Sequence, residues 1–95
     1  MELICRIIEQ HDLVERDYTT ADGNVQRFAS MGFVLASGGE AYYCEMVQEQ
    51  ARRQGRLPQN CYYKASVAAV VRPWVDQQQR KHWENHLKLT KIEAL

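Results

Sequence analysis

The side chains in this sequence best placed to do chemistry are aromatic rings set beside cations. Trp74 follows Arg72 by two positions and precedes a polar stretch carrying Arg80 and Lys81. Tyr42-Tyr43 and Tyr62-Tyr63 are adjacent pairs, and Tyr62 lies two residues before Lys64. Side chains alternate sides along a strand, so each pair in an extended segment sends one ring inward and one outward. Alternation with Ala65 and Val67 places Tyr63 inside and Tyr62 outside beside Lys64; for the other pair, Tyr42 is read as outward, with Tyr43 and Val47 inside. Exposed rings on a basic track are what single-stranded nucleic acid requires of a protein, since unpaired bases stack and phosphates need neutralising. The candidate contacts are Arg27, Tyr42, Tyr62, Lys64, Arg72, Trp74, Arg80, Lys81 and Lys88. Each has a plainer reading. Half-exposed tyrosines occur on ordinary surfaces, and a tryptophan can simply close the end of a core.

Other chemistries find little to work with. His82 and His86 would stand about 13 Å apart on a strand, too far to share a metal. On a helix they would be adjacent, but no third ligand follows at useful spacing. Ser37-Gly38-Gly39 reads as a turn rather than a phosphate-cradling loop. Cys5, Cys44 and Cys61 form no CxxC pair and no evident pairing with a histidine, and an odd count cannot all bridge within one chain. The acids are scattered. The chain is therefore read as non-catalytic, without metal or cofactor, and its cysteines as reduced thiols of a cytoplasmic protein.

A formal net charge of zero conceals a strong asymmetry. Residues 1–51 hold three arginines against nine acids, whereas residues 52–91 hold nine Lys and Arg against two acids. Such separation points to a basic surface with an anionic partner, unless the two halves pack together and mix their charges. Ninety-five residues, 45% apolar and 25% charged, make one domain at 1–95 and are too apolar for disorder. No apolar run approaches the roughly 20 residues that span a bilayer, and Glu2 stands where a signal peptide needs basic residues. No membrane partner is expected.

The elements that must position these residues read mostly as strands. Leu3–Ile8 is an apolar first strand, which the polar stretch Glu9–Thr20 can continue as a curved, half-solvated one. Asp22-Gly23-Asn24 signals a hairpin. A second strand follows from Val25 to about Ala36, in which Gly32 suggests a bulge or sharp bend. Ala41–Val47 reads as a third strand followed by a short helix over Gln48–Gln54, although Tyr43, Met46, Val47 and Ala51 also fit one longer helix. Cys61–Arg72 is the clearest strand, terminated by Pro73. A last strand covers His82–Ile92, with Trp83, Leu87 and Leu89 on one face. The expected core includes Tyr63, Val67, Val71, Trp83, Leu87 and Leu89. Three strands, a helix and two strands describe an all-β, five-stranded Greek-key barrel with a short helix between strands three and four, the OB-fold.

With that order in view, the chain resembles small single-stranded DNA-binding OB-fold proteins of bacterial, phage and plasmid type. The resemblance lies in Glu2–Ile8, in Asp22-Gly23-Asn24 leading into Val25–Phe28, and in Tyr42–Met46 passing into a helix. It continues in Trp74, the polar Gln77–Lys81 loop, Trp83–Leu89 and the closing Lys91–Leu95. It implies non-catalytic binding of single-stranded DNA in replication, recombination or mobile-element maintenance, by a homo-oligomer. RNA would use the same surface, and a protein-interaction module is the alternative from a different class.

Overall fold

Strands form where β-branched and aromatic residues run, and turns fall at the glycine-containing polar clusters. The computed structural model describes residues 1–95, with β1 (Glu2–Gln10), β2 (Val14–Thr19), β3 (Val25–Ser37), β4 (Glu40–Val47), α1 (Gln48–Arg53), β5 (Tyr63–Val75) and β6 (Lys81–Ala94). Six strands are present where five are expected. The difference lies at His11–Leu13, which interrupts the long first strand. β1 and β2 nevertheless pair with β3 in succession, Gln10 opposite Phe33 and Val14 opposite Ser30, with His11 N–H donating to the Gly32 carbonyl at 2.8 Å. The register also slips between Ile7 and Glu9. Such irregularities bend and twist a strand. Here the bend lets the start of β1 pair with β5 while its end pairs with β3.

That double pairing closes the sheet into a ring in the order β1-β5-β6-β4-β3, returning to β1. All pairings are antiparallel except β4–β6, which is parallel and consists of the single bridge Glu45–Lys88. Leu3, Cys5 and Ile7 face inward from β1, Met31, Phe33 and Leu35 from β3, and Cys44 and Met46 from β4. Tyr63, Ala65 and Val67 of β5 and Leu89 of β6 complete the ring's contribution, while Ala51 of α1 packs against the same core. Burial pushes the Cys44 thiol up to about 12. The loop after α1 is pinned by the buried Gln10, whose amide accepts from Leu57 N–H at 2.9 Å and donates to the Gly55 carbonyl at 3.3 Å.

Beyond Val67, β5 leaves β1 and continues with β6 alone, as a two-stranded arm reaching to Val75 and Lys81. Three expectations are corrected by this arm. Pro73 does not end the strand; it sits opposite Trp83, on a ribbon whose outer edge has no ladder for a missing N–H to break. Val71 and Trp83 do lie on the face shared with Val67 and Leu89, yet they are 57% and 64% exposed because no third strand covers that face so far out. Lys81 Nζ stands 4.6 Å from the Trp83 ring centre instead. Tyr63, Val67 and Leu89 are buried as expected, and Leu87 is half-buried against the core.

The turn at the arm's tip is organised by Asp76. Its carboxylate accepts from the backbone N–H of Gln78 and Arg80, from Arg80 Nε at 2.9 Å, and lies 2.8 Å from His82 Nε2. The His82 hydrogen bond first, then those of Arg80, hold this carboxyl below its ordinary value. Gly32 is corrected too. Its register with β4 runs through unbroken, and its role is close approach: a Cβ there would lie 2.6 Å from the Tyr43 hydroxyl and 3.0 Å from His11 Nδ1.

Candidate nucleic-acid interface

Directly opposed residues of neighbouring strands share a face, so the pairings define what the outside of the ring presents. Tyr18 opposes Gln26, Arg16 opposes Phe28, and Ser30 opposes Val47. Gly32 opposes Glu45, which meets Lys88 across the parallel bridge. On the arm, Arg72 opposes Glu84 and Trp74 opposes His82. From Lys88 through Ala68 this outer face runs on to Arg72 and Trp74, because residues two apart along β5 and β6 keep to one side. The result is one surface from the β2–β3 hairpin, over β4, to the arm.

Its centre is a groove of about 700 Å³ lined by Arg16, Tyr18, Phe28, Val47, Arg72 and Lys88, with Asp17, the ion-pair partner of Arg27, also in its lining. Tyr18 and Phe28 meet edge to face at 6.3 Å between ring centres, and Tyr18 is held by a hydrogen bond to Gln26 Oε1 at 2.7 Å. Trp74 lies stacked on His82, ring centres 4.5 Å apart, and is 48% exposed. A smaller cleft of about 280 Å³ adjoins the groove, sharing Arg16 and Phe28 and floored by Gly32.

The charge asymmetry of the sequence is partly cancelled in space. Arg52 pairs with Glu15 at 2.8 Å and Glu49 at 2.7 Å, Arg56 with Asp12 at 3.7 Å, and Lys64 with Glu2 at 3.0 Å. Arg27 pairs with Asp17 at 3.8 Å and Arg80 with Asp76 at 2.9 Å. Hydrogen bonds from Arg52 hold the Glu15 carboxyl below its ordinary value, and the hydrogen bond to Glu2 raises the Lys64 ammonium. Arg16, Arg72 and Lys88 stand apart from all these ion pairs and together line the groove. Their charge is uncompensated by any acid within 4 Å.

Of the residues singled out from the sequence, the structure brings Arg72, Lys88 and Trp74 onto this one face. Tyr42 is corrected: it turns inward with Cys44 and Met46 and packs against the core, while Tyr43 is 51% exposed. A one-residue error of register exchanges the faces of every side chain in a strand. Arg27 opposes Asp17 on the other side of the hairpin from Phe28. Tyr62 and Lys64 belong to the β1–β5 side of the ring, and Arg80 and Lys81 to the arm's tip and its other face. Arg16, Tyr18, Phe28 and Tyr43 were missed. The alternation Val14, Arg16, Tyr18 carried the signal for two of them. Searches of protein-family models, curated proteins and solved structures return no match to this chain.

Proposed function

We propose that the chain is a non-catalytic single-stranded nucleic-acid-binding protein, DNA being the first expectation, built as an OB-fold with an extended β2–β3 hairpin. The ring order, the parallel β4–β6 bridge and the helix between β4 and β5 support that assignment. In such barrels, oligonucleotides bind over the middle strands and the loops beside them, which here correspond to β3–β4, the hairpin and the arm. The observation that carries the reading is the convergence of Arg16, Arg72 and Lys88, free of acidic partners, with Tyr18 and Phe28 in one groove. Three cations against one acid in the lining, Asp17, which already pairs with Arg27, leave an excess of positive charge that asks for an anionic ligand, and open rings ask for bases that are not already stacked in a duplex. A homo-oligomer would lengthen the short track that one ring offers.

The test is an anisotropy titration with labelled dT15 and the corresponding duplex at two salt concentrations. Three neutralised phosphates give a slope of log K against log salt of about −2, at roughly −0.7 per contact for single strands. Affinity insensitive to salt, or tighter binding of duplex, overturns the reading. The protein-docking alternative has one observation in its favour, the exposed Val71, Val75 and Trp83 on the arm's far face. It would be favoured by a protein that binds no oligonucleotide.

A further inference from the structure

The cleft over Gly32 contains a group that a sequence-indifferent phosphate track does not need. Glu45 projects from β4 into the cleft with a side chain only 21% exposed. Its nearest ion-pair partner is His86 Nδ1 at 3.9 Å, beyond hydrogen-bond distance. Lys88, its partner across the parallel bridge, lines the neighbouring groove. A carboxylate in this place repels phosphate, so its contribution to binding must come from hydrogen-bond donors on the ligand.

The remaining walls suit a flat ring. The His11 and Tyr43 rings lie 5.9 Å apart at an interplanar angle of 43°, and Phe28 and Arg16 line the side toward the groove. Gly32 supplies the floor: any side chain there would displace the Tyr43 hydroxyl, which a Cβ would approach to 2.6 Å. His11 is held from outside by Glu9, Nε2 to Oε2 3.0 Å. At about 280 Å³, the cleft has room for one base.

Resting on the function proposed above, we infer that this cleft reads one base of the bound strand and that the base is guanine. An ionised carboxylate is an acceptor only, with two oxygens able to take a pair of donors. Guanine alone among the four bases offers two adjacent donors on its Watson–Crick edge, N1–H and the N2 amino group. Adenine and cytosine place a ring nitrogen acceptor beside their amino group, and thymine flanks its one N–H with two carbonyls. Guanine's O6 and N7 are the acceptors that an arginine engages, and Arg16 is the arginine of this cleft.

The experiment compares dT15 with three 15-mers carrying dG, dA or dC at the centre, at one salt concentration. A fourth 15-mer carries deoxyinosine, which keeps N1–H and loses the amino group. A bidentate contact of this kind discriminates roughly 5- to 150-fold. The dG strand should bind tighter than dT15 by at least the lower figure, inosine should fall between, and dA and dC should stay within about twofold of dT15. Glu45→Gln, an isosteric change on a side chain only 21% exposed, should collapse the dG-to-dT ratio toward one. A dG strand no tighter than dT15, or a ratio that survives Glu45→Gln, overturns the inference while leaving strand binding intact. Absence of binding to every oligonucleotide overturns the function and the base reading together. Guanosine monophosphate competing as well as the dG strand would make a free nucleotide the ligand and overturn recognition within a strand.

Discussion

The ring and the arm share two strands, β5 and β6, yet only the ring has a core. In the ring, Tyr63, Ala65 and Val67 of β5 meet Leu3, Phe33 and Leu89 across a closed interior and are almost fully buried. In the arm the same face continues with Val71 and Val75, opposite Asn85 and Lys81, and meets no third layer. The other face of the arm holds Arg72 and Trp74 and continues the groove. Stability is therefore concentrated where the sheet closes, and the face proposed to meet a ligand extends where it does not. The arm is held by its ladder and by the Asp76 turn, supports that are individually small: cross-strand pairs contribute about 0.2–1 kcal/mol each.

The comparison is sharpest for large aromatic residues. Phe33→Ala, in the middle of the ring, should cost about 3–5 kcal/mol. At roughly 4–8 °C per kcal/mol for a domain of this size, the thermal midpoint should fall by tens of degrees or folding should fail. Trp83→Ala on the arm should change stability by no more than about 0.5 kcal/mol, as for ordinary surface positions. Equal losses in the two variants would mean that the arm is packed in solution.

Next in size comes the arm's groove face. Trp74→Ala should weaken binding of dT15 by roughly 5- to 150-fold, the range for losing one base–aromatic stack. It should leave the salt slope unchanged, since no charge is removed. Quenching of tryptophan fluorescence on binding should persist in Trp83→Ala and largely disappear in Trp74→Ala. If Trp83 carries the quenching instead, the two faces of the arm have been assigned the wrong way round.

The smallest effect concerns pH. The Asp76 carboxyl is held below its ordinary value of 3.8 in the folded chain, so its ionised form contributes to the folded state. That contribution is complete above the unfolded value and declines as pH falls through 3.8 toward the folded value. Backbone amides of Gln78 and Arg80 should lose hydrogen-exchange protection over this acid range before those of β3 do. Asp76→Asn should remove most of that dependence. Simultaneous loss in β3 would deny the arm any independence.

Alternation in the sequence identified faces well and distances poorly. The break between strand and helix at Val47, where β-formers give way to Gln48-Glu49-Gln50, was legible, and so was the hairpin at Gly23, whose φ of +85° an L residue rarely adopts. The side shared by Val67, Val71, Trp83 and Leu89 was legible too. How far the interior reaches along that side is set by how far β5 runs beside β1, whose pairing with it stops at Glu2 opposite Ser66, a long-range fact absent from β5 and β6 themselves. The Tyr42-Tyr43 pair was ambiguous for a different reason: both residues are amphipathic, and the neighbours that decide are Cys44 and Met46 rather than Val47. Two of the groove's cations, Arg72 and Lys88, were legible as candidates; Arg16 was not, because it comes from distant β2 and the three are set apart only by what they fail to pair with.

A barrel sewn shut by a single parallel bridge has a preferred place to tear. Glu45–Lys88 is the only ladder link between β4 and β6, and Cys44, fully buried with its thiol pushed up to about 12, lies next to it in the chain. Thiol-modifying reagents thus become a clock for that seam. Cys61, partly exposed, should be labelled first. Cys44 should follow at the rate at which the seam parts, and Cys5, paired on β1 with Tyr63 of β5, should wait for wider unfolding. A strand lying from the hairpin to the arm would straddle the same gap, so occupancy of the groove would slow the second reaction and leave the first alone.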